Sequence, residues 1–290
     1  MTLHNIVAAA DESAEGRAAV EAALTLAART GARLTVMTVV AAGGPDLRVA
    51  EGDRRGRLLE EALERLTGWM GDHFREAAAD AGQQVEYGVA YGVPSIEISR
   101  FAEDRNADLL VLGRKQRTQA ARLLIGDTAD AVARRSRVPC LFVPLGFGGF
   151  GRVLAAVDGT PRGFGVLLAA SEFATAADAA LSAVAVEATA LPPRVLGLAA
   201  LPTAPVAAPS GQREERLRSL LALPGAPTVD RLLVREGEIV GEILDAAQEV
   251  GADVLAVGYH RGGPPAVVEA GSTGRRLVHG ARGAVLTVPL

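Results

Sequence analysis

The sequence predicts two α/β domains in tandem, each built on a parallel sheet that helices cover on both faces. The heptapeptide at 107–113 recurs at 252–258, 145 residues later, with only three changes, each between apolar residues. In both halves, short and continuously apolar runs alternate with helical segments, which is typical of buried parallel strands. A register held over more than fifty residues indicates duplication of one domain. The same offset relates four further pairs: Gly92 and Gly237, Gly126 and Gly271, Val143 and Val288, Pro144 and Pro289.

The elements of the first half follow from local patterns. An apolar run at 5–10 predicts a strand, and the apolar residues at 20, 23, 24 and 27 predict one face of a helix. The β-branched run at 34–40 predicts the second strand, and a charged segment at 54–81 predicts a long helix. The remaining predictions are a strand at 85–89, a helix at 95–105, a strand at 109–112, a helix at 128–135 and a strand at 140–143.

The second half repeats this order with a weaker middle. We predict strands at 152–157, 253–257 and 284–288, with a helix carrying apolar residues at 240, 243, 244 and 247. Prolines at 192, 193, 202, 205 and 209 interrupt the region that corresponds to the long helix, which leaves a loop and a short helix at 212–223. The predicted domains are 1–146 and 147–290.

The junction between the domains, Gly146–Gly151, matches the dinucleotide-binding pattern G-x-G-x-x-G. That pattern requires a helix directly after it, so that the helix N-terminus meets a pyrophosphate. The segment 152–157 that follows has the pattern of a strand instead. We therefore interpret the junction as a flexible linker.

Composition narrows the class of protein. A net charge of −4, with the basic residues scattered through both halves, argues against binding to nucleic acid. The single cysteine, Cys140, excludes an internal disulfide and is expected to be a small buried residue. No run reaches the roughly 20 apolar residues of a membrane helix, and we expect a cytoplasmic protein that contacts no membrane.

Candidate binding residues lie where strands end. Ligands of open parallel sheets bind outside the carboxyl ends of the strands, where the strand order reverses. Two loops are predicted to meet there in each domain, one after the first strand and one after the fourth, leading to a helix whose start exposes N–H and hydroxyl donors to an anion. The candidates are Asp11, Gly113, Gly126 and Thr128 in the first half, and Asp158, Gly258, Gly271, Ser272 and Thr273 in the second.

Several of these residues and their neighbours also have a purely structural interpretation. Asp11 and Asp158 suit a helix cap and a turn, and Gly113 and Gly258 suit a tight exit from a strand. Asp127 and Ser272 suit the N-cap position of the helix that follows. The basic residues Arg114, Lys115 and Arg117 are expected to lie in a solvated loop.

With these residues the chain resembles a tandem universal stress protein. The resemblance rests on the Ala-Asp-(apolar)4-Gly segments, the aspartates after the first strands and the Val-Pro pairs, and it covers nearly the whole chain. It implies two doubly wound, Rossmann-like domains of five parallel strands in the order 3-2-1-4-5. It also implies dimerisation through the fifth strand and, in some members, ATP binding.

The nucleotide motif of that family is imperfect in both halves. It consists of Gly, two residues, Gly, nine residues, and Gly followed by Ser or Thr. The first half has Gln116 for the second glycine and Asp127 for the hydroxyl residue, and this carboxylate would repel a phosphate. The second half loses only the second glycine, to Arg261, whose charge suits a phosphate. The second domain is therefore the better candidate for ATP.

Three functions remain open at this stage. The resemblance favours a non-catalytic stress-response protein that binds ATP, with Mg²⁺, or a related adenine nucleotide in the second domain. The residues expected to bind it are Asp158, Gly258, Arg261, Gly271, Ser272 and Thr273. The loss of motif glycines favours an interaction module that binds no nucleotide. A slow Mg²⁺-dependent nucleotide hydrolase is the third. The edges at 138–143 and 284–288 are expected to pair with each other, as an intramolecular pseudo-dimer, or across a homodimer.

Overall fold

The computed structural model describes residues 2–41, 52–80, 82–115, 128–188, 212–222, 225–260 and 273–290. The first half begins with a strand–helix–strand unit and then a long helix. Its strands are β1 (Asn5–Ala9), β2 (Arg33–Ala41), β3 (Val85–Gly92), β4 (Leu109–Arg114) and β5 (Cys140–Pro144). Its helices are α1 (Ala14–Thr30), α2 (Gly52–Asp80), α3 (Pro94–Asp104) and α4 (Thr128–Arg135).

The second half repeats the order of the first. Its strands are β6 (Arg152–Val157), β7 (Ala180–Ala188), β8 (Arg231–Gly237), β9 (Val254–Tyr259) and β10 (Ala284–Pro289). Its helices are α5 (Pro161–Ala176), α6 (Gln212–Leu221), α7 (Ile239–Val250) and α8 (Thr273–Gly280). The proline-rich stretch 192–209 lies outside the described residues. None of the helices in the described ranges is both long and apolar enough to cross a bilayer.

The predicted elements are present, and the largest difference in the first half is the length of β3. This strand continues three residues beyond the predicted end because it pairs with β2 along its whole length, from Val85 beside Leu34 to Gly92 beside Ala41. Helix α3 follows directly and begins at Pro94, which tolerates the first helical position because its missing N–H has no partner there.

Strands from both halves form one sheet within the described residues. The order is β3-β2-β1-β4-β5-β10-β9-β6-β7-β8, so each half has the predicted order 3-2-1-4-5. Pairing within each half is parallel, and the two halves meet through antiparallel pairing of β5 with β10. The two fifth strands therefore pair with each other inside the chain.

The pairing of β5 with β10 defines a pseudo-twofold axis. Leu141 lies opposite Leu286, and these residues occupy equivalent positions in the two halves. The flanking pairs join Cys140 with Thr287 and Phe142 with Val285. Leu141, Leu286 and Phe142 are fully buried, so the contact between the domains has the character of a protein core.

Hydrophobic cores on both faces of the sheet extend across the two domains. One packs α1, α2, α5 and α6 against the sheet, and the other packs α3, α4, α7 and α8. Strands β4 and β5 are almost entirely buried, which explains their continuously apolar sequences. Cys140 is buried as predicted, and burial raises the pKa of its thiol to about 12.

The junction between the domains is anchored, which corrects the prediction of a flexible linker. Phe150 is buried and makes edge-to-face contacts with Phe147 and with Phe173 of α5, at centroid distances of 4.9 and 5.9 Å. Gly146 and Gly149 have positive φ angles of 75° and 136°, a conformation that side chains disfavour. The glycines thus serve backbone geometry, and strand β6 follows them.

We expect the leucine pair on the axis to stabilise both domains at once. Leu141→Ala and Leu286→Ala should each lower the free energy of unfolding by about 2–5 kcal/mol, because each opens a cavity in a fully buried contact. The double variant should lose less than the sum of the single variants, since the two side chains face each other. Urea unfolding measures this, with the exposed Leu145→Ala as a control expected to change stability by less than about 0.5 kcal/mol. Fully additive losses would contradict a direct contact.

Candidate functional site

The first cleft lies at the carboxyl ends of β1, β2 and β4 and encloses about 420 Å³. It brings together three predicted residues of the first half, Asp11, Gly113 and Thr128. Its floor is apolar and includes Met37, Val39, Ile98 and Leu112, and α8 of the second domain contributes Val278 and His279.

The second cleft lies at the equivalent strand ends of the second domain and encloses about 380 Å³. It brings together the predicted residues Asp158, Gly258 and Thr273, and His260 also lines it. The other predicted residues (Gln116, Arg117, Gly126, Asp127, Arg261, Gly271 and Ser272) lie outside the described residues. Within the described ranges, no group of three or more His, Cys, Asp or Glu side chains is arranged to hold a metal ion.

The aspartates after β1 and β6 brace a helix cap. The first oxygen of the Asp158 carboxylate accepts hydrogen bonds from the N–H and the hydroxyl of Thr160, at 3.0 and 2.7 Å. Thr160 is the N-cap of α5 and accepts the N–H of Gly163. In the first domain Asp11 binds Ser13 in the same way, and Ser13 caps α1. The structural alternative for Asp11 is thus corrected, because Ser13 is the cap and Asp11 supports it.

A glycine in the first turn of each helix allows this arrangement. A Cβ on Gly163 would lie 2.2 Å from the Asp158 carboxylate oxygen, and a Cβ on Gly16 would lie 2.3 Å from the Asp11 carbonyl oxygen. Both distances are far below van der Waals contact. The spacing Asp-x-Ser/Thr-x-x-Gly in both halves therefore holds the aspartate close to the start of the helix.

The glycines that end β4 and β9 have different neighbours. A Cβ on Gly113 would lie 2.4 Å from the backbone carbonyl oxygen of Glu15, so this glycine lets α1 approach the strand. A Cβ on Gly258 would lie 2.6 Å from the side chain of Leu290 and 3.1 Å from Val166. Leu290, whose N–H donates to the Tyr259 carbonyl, thus places its side chain in the second cleft. The equivalent Leu145 is 57% exposed.

Arg114 does not belong to a solvated loop, which corrects the prediction for the basic cluster. It is only 3% exposed, and its guanidinium reaches the second domain, where it donates to the carbonyls of Val278, Ala281 and Gly283 at 2.7–2.9 Å. These carbonyls lie at and beyond the C-terminal end of α8, where the helix dipole favours a cation. Burial lowers the pKa of Arg114 to about 10. The neighbouring Lys115 is exposed.

Tyr259, the equivalent of Arg114, crosses the same boundary in the opposite direction. Its hydroxyl donates to Asp130 of α4 at 3.0 Å. The other oxygen of Asp130 contacts Arg134, and it lies 3.4 Å from Nε of Arg275 in α8. Burial, and then the nearby carboxylate, raise the pKa of Tyr259 and keep it a hydrogen-bond donor.

Sequence reasoning missed several residues of this region, namely Ser13, Thr160, Tyr259, Asp130, Arg275, His279 and Leu290. The two capping residues had a readable signal, since the Asp-x-Ser/Thr spacing occurs after the first strand of both halves. The contacts between domains had none, because the acceptors of Arg114 are backbone carbonyls 164–169 residues away.

Comparison with known proteins identifies the family. The sequence model of the universal stress protein family matches the chain twice, over residues 2–144 and 149–289. The chain belongs to the universal stress protein family. A universal stress protein of Methanocaldococcus jannaschii is 27% identical over 93 residues, which is 32% of this chain and 54% of that protein. A second one from the same organism is 32% identical over 84 residues, 29% of this chain and 45% of the relative.

The chain thus aligns with about half the length of these two relatives. The crystal structure of a universal stress protein from Archaeoglobus fulgidus has a TM-score of 0.74 to this chain, covering 100% of it and 99% of that chain at 18% identity. At this identity the likeness establishes the fold. Two universal stress domains in tandem therefore account for the entire sheet.

Gly113 should tolerate no side chain. We expect Gly113→Ala to lower the free energy of unfolding by about 1–3 kcal/mol, because the added methyl group meets the backbone of α1 and cannot be relieved by a side-chain rotation. Gly148→Ala in the junction is the control, since a Cβ there has open space around it. Thermal or urea unfolding of both variants measures the difference, and equal stability would show that α1 lies farther from β4.

The contact of Arg114 with the second domain should also contribute measurably to the stability of the protein. Arg114→Ala leaves the carbonyls of Val278, Ala281 and Gly283 without their donor, and we expect a loss of about 2–4 kcal/mol of unfolding free energy. Arg114→Lys should retain part of this, because it keeps the charge without the planar fork. The adjacent Lys115→Ala should cost less than about 0.5 kcal/mol. If Arg114→Ala and Lys115→Ala unfold alike in urea, the contact is unimportant.

Proposed function

We propose that the chain is a non-catalytic stress-response protein that binds an adenine nucleotide, ATP as its Mg²⁺ complex, in the second cleft. The observation that carries this proposal is the meeting of Asp158, Gly258 and Thr273 in one cavity at the carboxyl ends of β6 and β9. Ligands of open parallel sheets bind at this location.

One end of the second cleft suits a nucleoside. Its walls are apolar and include Val157, Val186, Ile239 and Ile243, which offer contact area to a planar base. Asp158 uses its first carboxylate oxygen for Thr160, and within the described part of the chain its second oxygen accepts no hydrogen bond. That oxygen is available to the amino group of adenine or a ribose hydroxyl.

The other end suits phosphates. Thr273 begins α8, and the first turn of this helix carries no acidic residue, so its N–H groups and dipole favour an anion. The sequence places Gly271, Ser272 and Arg261 beside it. In the first cleft α4 has Asp130 in its first turn, preceded by Asp127. This difference in charge supports the second cleft over the first for a triphosphate.

Leu290 favours a second candidate function. Its side chain packs against Gly258 inside the second cleft and occupies space beside that glycine which a ligand could otherwise use. A cleft closed in this way suits an interaction module that binds no nucleotide. The two functions differ in whether Leu290 acts as a wall beside the ligand or as a plug in its place.

Isothermal titration with ATP and Mg²⁺ tests the proposal. We expect the wild type to bind one nucleotide and Asp158→Asn to bind about 10–100-fold more weakly, because a charge-assisted hydrogen bond is lost. Asparagine keeps the oxygen that accepts from Thr160, so the cap of α5 survives. The matched variant Asp11→Asn changes the first cleft in the same way and should leave the affinity unchanged.

Leu290→Ala separates the two candidate functions. Heat from the wild type supports nucleotide binding, whereas heat that appears only in Leu290→Ala identifies the leucine as a plug. No heat from either protein leaves the interaction module as the function. In the same samples we expect no phosphate release from ATP, and release that Asp158→Ala abolishes would establish the hydrolase instead.

A further inference from the structure

We infer that Asp130 and Arg275 make the two domains complementary to each other and not to copies of themselves. The two residues occupy equivalent positions, Asp130 in α4 and Arg275 in α8, and they face each other beside the pseudo-twofold axis. The carboxylate oxygen of Asp130 lies 3.4 Å from Nε of Arg275. A symmetric interface thus carries opposite charges where its symmetry demands equal ones.

The consequence follows from twofold geometry. Around a true twofold axis, a residue close to the axis faces its own copy. If two second domains paired through their fifth strands, Arg275 would face Arg275. If two first domains paired, Asp130 would face Asp130. Like charges at this distance repel, and the repulsion is strong because the site is largely shielded from water.

Burial determines how strongly the Asp130–Arg275 position disfavours pairing between two identical domains. Asp130 is only 4% exposed and the side chain of Arg275 is 20% exposed, so neither charge can be solvated fully when the partner is wrong. Removing one partner of a buried ion pair is strongly destabilising because the other charge stays behind. Arg134 also contacts Asp130, so the carboxylate is shared by two guanidinium groups.

Arg114 and Tyr259, which occupy equivalent positions in the two halves, also affect how strongly the interface disfavours pairing between identical domains. In a pair of second domains no carboxylate would meet the Tyr259 hydroxyl, because Asp130 is absent and Arg275 takes its place. In a pair of first domains Arg114 would take the position of Tyr259 and offset part of the repulsion between carboxylates. The interface therefore disfavours a pair of second domains more strongly than a pair of first domains. The partner that fits each domain is a domain of the other kind, which the tandem chain itself supplies.

Reversing the charge at position 275 places like charges beside the pseudo-twofold axis of the intact chain. Arg275→Asp places two carboxylates together, as in a pair of first domains, while Arg275→Gln removes the positive charge without adding a negative one. We expect Arg275→Asp to lower Tm by roughly 5–10 °C and by more than Arg275→Gln. In the background of Asp130→Asn, which keeps an oxygen for Tyr259, the difference between the two substitutions should shrink to less than half. Arg135→Asp, on the exposed side of α4, is the matched control and should shift Tm little.

Thermal unfolding of these full-length variants decides whether like charges at this position are unfavourable. A difference between Asp and Gln at position 275 that depends on Asp130 supports the inference, because steric effects of the substitution are the same in both backgrounds. Equal melting of Arg275→Asp and Arg275→Gln, or a difference that persists in Asp130→Asn, overturns it.

Discussion

The antiparallel pairing of β5 with β10 is the constraint on which the rest of the structure depends. It joins two five-stranded sheets into one and removes two apolar edges from solvent, where each would invite association with other chains. Because strands are parallel within each half and antiparallel at the junction, the carboxyl ends of the two halves point in opposite directions. The two clefts therefore open at opposite ends of the sheet.

The backbone is symmetric about this junction, whereas the side chains that cross it are not. Leu141 and Leu286 preserve the symmetry at the centre, where hydrophobic packing requires only matching shape. Away from the centre, Arg114 and Tyr259 occupy equivalent positions but make different contacts. Arg114 donates to carbonyls at the end of a helix, and Tyr259 donates to a carboxylate. Once both halves are in one chain, equivalent positions can diverge independently, so an interface with twofold shape acquires contacts that a homodimer cannot have.

Sequence patterns were sufficient for the fold because its main determinants are local and repeated. Continuous apolar runs such as 109–112 and 140–143 predicted central strands, and the 145-residue register supplied the second domain. The patterns also predicted that Asp158, Gly258 and Thr273 would share a cleft, which follows from the topology of a doubly wound sheet. The prediction for Arg114 was wrong because the local sequence around a basic residue after a strand is the same in both cases. It does not show whether the side chain is solvated or inserted into another domain. Burial by a distant segment leaves no local signature, and the contact of Phe150 with Phe173 likewise depends on a residue outside the linker.

Helix α8 connects the two clefts physically. Its first turn, Thr273 and Gly274, lines the second cleft, and its last turn, Val278 and His279, lines the first. The carbonyl of Val278 is held by Arg114, which itself lines the first cleft. The position of this short helix is thus fixed at one end by the first domain, while its other end forms part of the wall of the second cleft. In this arrangement the packing of one domain positions a helix that lines the cleft of the other, so the second cleft takes its shape from the tandem chain as a whole.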